Sequence, residues 1–436
     1  MELLLLTIAV LVVGLLIGIP VPFTFFAGTL LIVVAGGYDY TFLLPYAYKQ
    51  CSSIILMSIP LFIFAGSLME KGGIGECLVN LVEMFVGRIK GGLGIAMTVA
   101  CGIFGAISGS GMATLSCIGS IMLPRMEQAG YPKAHSAALI SSASLLGLLI
   151  PPSMNMILYA FVGGQSVLSC FVATVGPGIL LIILLSTVNC FLLRKNPNVQ
   201  TLPPMTGKQY TSELGKRTLR SLPALICPVI ILGGIYSGMM TPTEAAGIAV
   251  IYAVPVGFFV YKGLNRKTFK EALVNAGTTA GVIMIMIFAV TMLCRLFVME
   301  DVPTMILDAM MSVTQNNTLL VLMVNLFLIV IGMIMDDTSA ILLTTPILLP
   351  VVTALGIDPV HYAAIVGVNL GLGCVTPPCA PFLYLGARVG NANIKDMLGP
   401  TMWLIFFAWI PCLIVTTFFP QLSLFLPRML GLIKQL

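Results

Sequence analysis

Charge is what this sequence has least of. Only 8% of its 436 residues are Asp, Glu, Lys or Arg, where an ordinary soluble domain carries about a quarter. So few charges exclude a soluble globular protein. Histidine is almost absent, with His135 and His361 the only two. No HExxH or GxSxG run offers a metalloprotease or serine-hydrolase site, and no GxxxxGK followed by Ser or Thr offers a phosphate loop. ATP therefore does not power this chain directly. The 11 cysteines lack CxxC or Cys/His ligand spacing, and they read as small hydrophobes, not disulfides or metal ligands. There is no low-complexity tract. The start, Met1-Glu2-Leu3, lacks the basic segment of a secretory signal, so it is expected to stay as a helix of the mature protein.

What the sequence has in quantity is apolar length. Apolar residues make up 58% of the chain, and stretches such as 3–19, 54–69, 168–193, 277–298 and 401–426 approach or exceed membrane-spanning length. About 20 apolar residues span a bilayer, so there is room for about ten such segments. The expected class is an all-α polytopic membrane protein.

The chain also repeats itself. Residues 121–152 align without a gap on 347–378, with 11 identities in 32 positions. Ile121, Leu123 and Pro124 recur as Ile347, Leu349 and Pro350, and Gly130 and His135 as Gly356 and His361. Gly147, Pro151 and Pro152 recur as Gly373, Pro377 and Pro378. Two copies of a membrane unit, each with a broken helix, are the mark of a secondary transporter whose site lies between the repeats.

Basic residues sort by membrane side. The polar linker 194–220 carries Arg194, Lys195, Lys208, Lys216, Arg217 and Arg220 and is expected in the cytoplasm. Following the spans outward from it leaves Lys49, Arg295, Arg428 and Lys434 as the only Lys or Arg on the outer side. The acidic segment 300–317 falls outside, and so does the N-terminus. Five crossings precede the linker, at about 3–19, 23–35, 54–70, 134–163 and 168–193. An odd number inserts the second copy upside down. The expected organisation is an inverted repeat over 1–193, the linker, and a second repeat over 221–436. Each repeat then holds a re-entrant hairpin (about 91–124 and 318–350) and a broken helix (about 134–163 and 360–390).

The hairpin reading rests on length. Gly111 to Pro124, and 338 to 350, are about a dozen residues, which suits a dip into the membrane better than a crossing. The first tip reads Ser108-Gly109-Ser110-Gly111; the second holds Asp336 and Asp337 inside an apolar run. Carboxylates at membrane depth mark a functional site by default. Proline lacks an N–H and frees the carbonyl four residues before it. Pro151 and Pro152 thus free Gly147 and Leu148, and Pro377 and Pro378 free Gly373 and Cys374. Such carbonyls at a half-helix C-terminus suit Na⁺. The half-helices that follow, from near Ser153 and Cys379, are expected to offer N–H groups to an anionic substrate. The histidines heading the broken helices read as structural.

Taken together in this order, the motifs resemble the large membrane subunit of TRAP (tripartite ATP-independent periplasmic) transporters along essentially the whole chain. The matching pieces are Ile59-Pro60-Leu61-Phe62 with Gly66, Ser108-Gly109-Ser110, Pro124 with Gly130-Tyr131, and Ile150-Pro151-Pro152-Ser153. In the second half they are Gly234-Ile235 through Gly238, Thr241-Pro242-Thr243-Glu244-Ala245, Gly332 with Asp336, and Thr376-Pro377-Pro378. The resemblance implies an elevator-type Na⁺-driven importer of an organic acid such as sialic acid or a C4-dicarboxylate, in a bacterial inner membrane. It implies two partners, a small four-helix membrane subunit and a periplasmic substrate-binding protein, and no cofactor beyond Na⁺ as coupling ion. Gly332 and Thr376 join the expected cation site. Asn155 and Asn369 join Pro151, Pro152, Ser153, Pro377 and Pro378 as expected substrate contacts. Two positions depart from many relatives: Thr114 stands where an acid is common, and Cys379-Ala380-Pro381 stands where Val-Gly is frequent. The rival readings are a passive anion channel, a stand-alone Na⁺/carboxylate symporter and an intramembrane enzyme.

Overall fold

A computed structural model describes residues 2–201 and 207–433. Residues 202–206 of the linker, Met1 and Lys434 lie outside the described residues. The first half runs α1 (Glu2–Ile17), α2 (Val21–Gly36), α3 (Leu43–Cys51), α4 (Ser58–Lys71), α5 (Ile74–Val86), α6 (Gly92–Ser108) and α7 (Gly111–Gln128). It continues through α8 (Lys133–Ala143), α9 (Leu146–Leu149), α10 (Met154–Gly163) and α11 (Val167–Leu193). The second half runs α12 (Gly207–Tyr236), α13 (Pro242–Pro255), α14 (Arg266–Met299), α15 (Val302–Val313), α16 (Asn317–Ile334) and α17 (Asp337–Ala354). It closes with α18 (Pro359–Val375), α19 (Pro381–Val389), α20 (Ile394–Leu404), α21 (Ile410–Phe418) and α22 (Gln421–Met429). No strand occurs among the described residues.

The duplication seen in 32 residues extends through the fold. α17 begins and ends 226 residues after α7, and α18 does the same after the α8–α9 segment. Packing obeys the same exchange. α2 lies on α14 while its counterpart α13 lies on α4, and α10 lies on α17 while α19 lies on α7. The second half of each broken helix is therefore gripped by the other repeat's hairpin.

One expectation needs correction. The hairpin return arms are not a dozen residues long: α7 and α17 each have 18 and continue through Pro124, Pro346 and Pro350. A proline inside an apolar helix bends it but does not end it when neighbours satisfy the freed carbonyl. Each hairpin tip lies against the midpoint of a broken helix. Within the linker, α12 starts at Gly207. Two short helices, α5 and α15, connect α4 and α14 to the hairpins.

The two faces of the bundle are chemically distinct. On one, Arg217 Nη1 donates to the Asn80 carbonyl at 2.9 Å, Ser221 donates to that of Cys77, and Gln200 N–H bonds the carbonyl of Ala129. Arg125 reaches Asn80 and Glu83 there, at 2.7 and 3.3 Å. On the opposite face Tyr38 donates to Glu300 at 2.6 Å. Between them lie helices with large apolar side chains pointing outward, including Val229, Ile251 and Phe259. Among the described residues, eight helices are long and apolar enough to cross a bilayer, nine if the bent pair α8–α10 counts as one. Exposure of that kind suits lipid, not water.

This sorting generates the first test. Single cysteines replacing Lys208 and Asp308 in a cysteine-free background should react with a membrane-impermeant maleimide from opposite sides. The cysteine at 208 should label only in inside-out vesicles; labelling of both from one side overturns the inverted arrangement.

Candidate functional site

Glycine sets how closely each hairpin meets its broken helix. A Cβ on Gly105 of α6 would stand 2.5 Å from Gly147 Cα, and one on Gly373 would stand 2.6 Å from Gly332 Cα. Only glycine on both sides permits that approach. It delivers each tip to a break: Met154 N–H donates to the Gly109 carbonyl at 3.3 Å, and Asp336 and Asp337 lie beside Cys374. Gly66 of α4 abuts the first tip, where a Cβ would be 2.8 Å from the Ser108 carbonyl. Gly373→Ala should therefore push the second tip off the break and destabilise the protein by about 1–3 kcal/mol, the usual cost of overpacking. Thermal unfolding in detergent measures it, and an unchanged midpoint contradicts the contact.

The tips are built alike but charged differently. Ser110 caps α7, its hydroxyl accepting from Ala113 N–H. Asp336, its counterpart, caps α17 and accepts from Ser339 N–H at 3.1 Å and from the Ser339 hydroxyl. Asp337 goes further in. It is 7% exposed and accepts 2.7 Å from Asn155 Nδ2, a residue of the other repeat. Asn155 is 2% exposed, and its Oδ1 has no partner among the described residues. An ionised carboxylate so buried is costly without a paired charge.

Both aspartates face one cavity of about 640 Å³, bounded by the hairpin tips and by α4, α14 and the α1–α2 turn. Ser108, Ser110, Leu148 and Glu70 also line it. The two aspartates expected from sequence in the cation site line the same cavity. Glu70, at the end of α4, was missed, and only its place beside an apolar run could have signalled it. No Lys, Arg or His lines this cavity.

The breaks themselves differ from expectation. The chain bends 46° between α8–α9 and α10, and both Pro-Pro bonds are cis. Yet the freed carbonyls are not all vacant. Ser153 donates its hydroxyl to the Leu148 carbonyl, and Thr376 donates its N–H to Gly373 at 3.0 Å and its hydroxyl to Leu372 at 2.6 Å. Each of those oxygens keeps one lone pair. Nor do the second half-helices offer a full set of N–H donors. Met154 N–H is taken by Gly109, and α19 starts at Pro381, which has none; Leu383 and Tyr384 N–H both bond Ala380. The anion-binding ends expected near Ser153 and Cys379 are correspondingly weaker.

The remaining predicted positions divide. Pro151, Pro152 and Ser153 are buried behind the first tip, while Pro378 is exposed and Thr376 and Pro377 half-buried, none of the three lining the cavity. Asn369 is not at the site. It donates to Asn325 at 3.0 Å, which in turn donates to Thr417 at 3.0 Å, a polar chain tying α18 to α16 and α21. His135 bonds Asn189 at 3.0 Å and His361 the Thr416 carbonyl at 2.7 Å. Each histidine fastens a broken helix to the spanning helix that follows it, as the structural reading holds.

Comparison with known proteins fits this geometry. The family model for the tripartite ATP-independent periplasmic transporter, DctM component, matches residues 5–422. The isethionate TRAP transporter permease protein DctMQ of Oleidesulfovibrio alaskensis is 34% identical over 420 residues, 94% of this chain. This chain spans only 64% of that relative's length. The C4-dicarboxylate TRAP transporter large permease protein DctM of Pseudomonas aeruginosa is 34% identical, covering 88% of this chain and 89% of its own. The sialic acid large permease SiaM of Vibrio cholerae is 32% identical, covering 94% and 95%. In fold, the chain resembles the YdaH transporter of Alcanivorax borkumensis with a TM-score of 0.60 at 15% identity, over 88% of this chain and 89% of that one. The chain belongs to the DctM family of TRAP transporters: it is a multi-pass permease subunit and not an enzyme.

Proposed function

We propose that this permease imports an organic anion by coupling it to Na⁺, in the inner membrane of a bacterium. The observation that carries the reading is the charge of the 640 Å³ cavity, which holds Asp336, Asp337 and Glu70 and no basic side chain. An organic acid cannot enter so negative a space alone, whereas Na⁺ lowers the cost both of the buried Asp337 and of an incoming carboxylate. Oxygen-bearing residues suited to a hard cation line it: the two aspartates, Ser108 and Ser110, with the Asn155 amide bonded to Asp337 behind them.

Alternating access by a moving hairpin body favours transport over a passive channel. The cavity reaches Glu70 at the end of α4, and a separate pocket of about 160 Å³ lies at the end of α14 beside Arg295. In this reading the hairpins and broken helices travel, elevator-fashion, against a scaffold of α1–α4 and α12–α14. The basic face is cytoplasmic and the N-terminus periplasmic. A small membrane subunit and a periplasmic binding protein complete the system, as the family implies. Sialic acid, C4-dicarboxylates and sulfonates such as isethionate are the substrate classes carried by its relatives' names.

Proteoliposomes holding the permease with its small subunit test this, with candidate acids presented on cognate binding proteins. Uptake should require an inward Na⁺ gradient and stop when K⁺ replaces Na⁺. Asp337→Asn keeps the shape and the contact with Asn155, and it should lower Na⁺-driven uptake at least about tenfold, the equivalent of 1.4 kcal/mol. Asp336→Asn should weaken the Na⁺ response while leaving folding intact. Equal uptake with either cation overturns the coupling.

A further inference from the structure

A second, smaller pocket lies beside the C-terminal end of α14, and one of its lining residues is the repeat mate of a residue lining the central cavity. It lies between α3, α10, α14 and α17 and is lined by Thr291, Cys294, Arg295 and Leu342. Subtracting the 226-residue offset places Leu342 on Ser116 of the cavity wall, and Arg295 on Met69, next to Glu70. The two ends of the paired scaffold helices thus carry opposite charge: Glu70 at the inner mouth, Arg295 at the outer.

Arg295 is placed to meet a ligand. It sits four residues, or about 6 Å, before the end of α14, with its side chain exposed at the pocket mouth. Its guanidinium lies 5.3 Å over the Tyr46 ring, an arrangement that orients the fork without neutralising it. No carboxylate is within ion-pairing distance among the described residues. Glu300, one turn beyond, already accepts from Tyr38. Gln50 and Thr291 add polar groups to the same pocket, and arginine is the side chain best shaped to hold a carboxylate or sulfonate with two parallel bonds.

We propose that Arg295, oriented by Tyr46 and assisted by Gln50, forms an anion-receiving subsite at the outer mouth, where an arriving organic acid docks before the central cavity opens to that side. The subsite rests on the import reading above and gives it a direction: the anion is drawn in at Arg295, and Glu70 disfavours its return from the inner mouth. A lipid phosphate shares the same chemistry, and the test separates the two sources.

The full-length protein in phosphatidylcholine nanodiscs is treated with phenylglyoxal, and modification of the Arg295 peptide is followed by mass spectrometry. Succinate, isethionate and a sialic acid are added in turn, with ionic strength balanced by chloride. At least one should slow modification of Arg295 about tenfold, the scale of one charged hydrogen bond. Arg88, stacked on Tyr210 on the opposite face, should react at an unchanged rate. Protection by none of the three, or equal protection by chloride, overturns the subsite. Full protection by phosphatidylglycerol nanodiscs with no acid added assigns Arg295 to lipid and also overturns it. In transport, Arg295→Gln should raise the half-saturating concentration about tenfold with a smaller change in maximal rate, and Arg295→Lys should recover part of the loss. The modification assay needs neither Na⁺ nor transport, so its failure is distinguishable from failure of the coupling.

Discussion

The bond from Asn155 to Asp337 is the contact on which the rest of the site depends. It joins the two repeats at 2.7 Å, with Asn155 buried and Asp337 at the cavity wall. The donors to Asp337, the Asn155 amide and the backbone N–H groups of residues 337 and 338, are all neutral, so the buried carboxylate lacks a counter-charge, and the effective penalty for burying an ion is several kcal/mol. The deficit is what a cation or a proton would cancel. Everything around the bond, from the glycine contacts to the Ser339 cap on Asp336, holds that unbalanced charge in place.

The glycines make such a site affordable in a membrane. Helix ends and breaks expose backbone groups that lipid cannot satisfy. Here they satisfy one another, Gly109 with Met154 and Thr376 with Gly373. The price of this economy is that fewer carbonyls and N–H groups are left for ligands than proline spacing alone suggests. Side-chain oxygens therefore carry more of the proposed cation site than the broken helices do.

Much of the architecture was legible in the sequence because it depends on periodic, local signals. The Pro-Pro pairs and the 226-residue offset act through chain geometry, and the helices follow them. Return-arm length was misjudged because the stretches were counted only as far as Pro124 and Pro350, and packing lets the helices pass through them. At the site, Asp336 and Asp337 stood out as charges in apolar runs. Which of them is buried was not legible, because that depends on Asn155, 182 residues away. Asn369 misled for the same reason: its partners Asn325 and Thr417 come from two other helices.

Direct Na⁺ binding tests the central claim most closely. Purified protein is titrated with ²²Na⁺ at constant ionic strength and the bound ion counted, for the natural sequence and for Asp337→Asn. The account predicts saturable binding that the substitution abolishes or weakens at least about tenfold. Saturable binding that Asp337→Asn leaves unchanged, or no saturable binding at all, contradicts it.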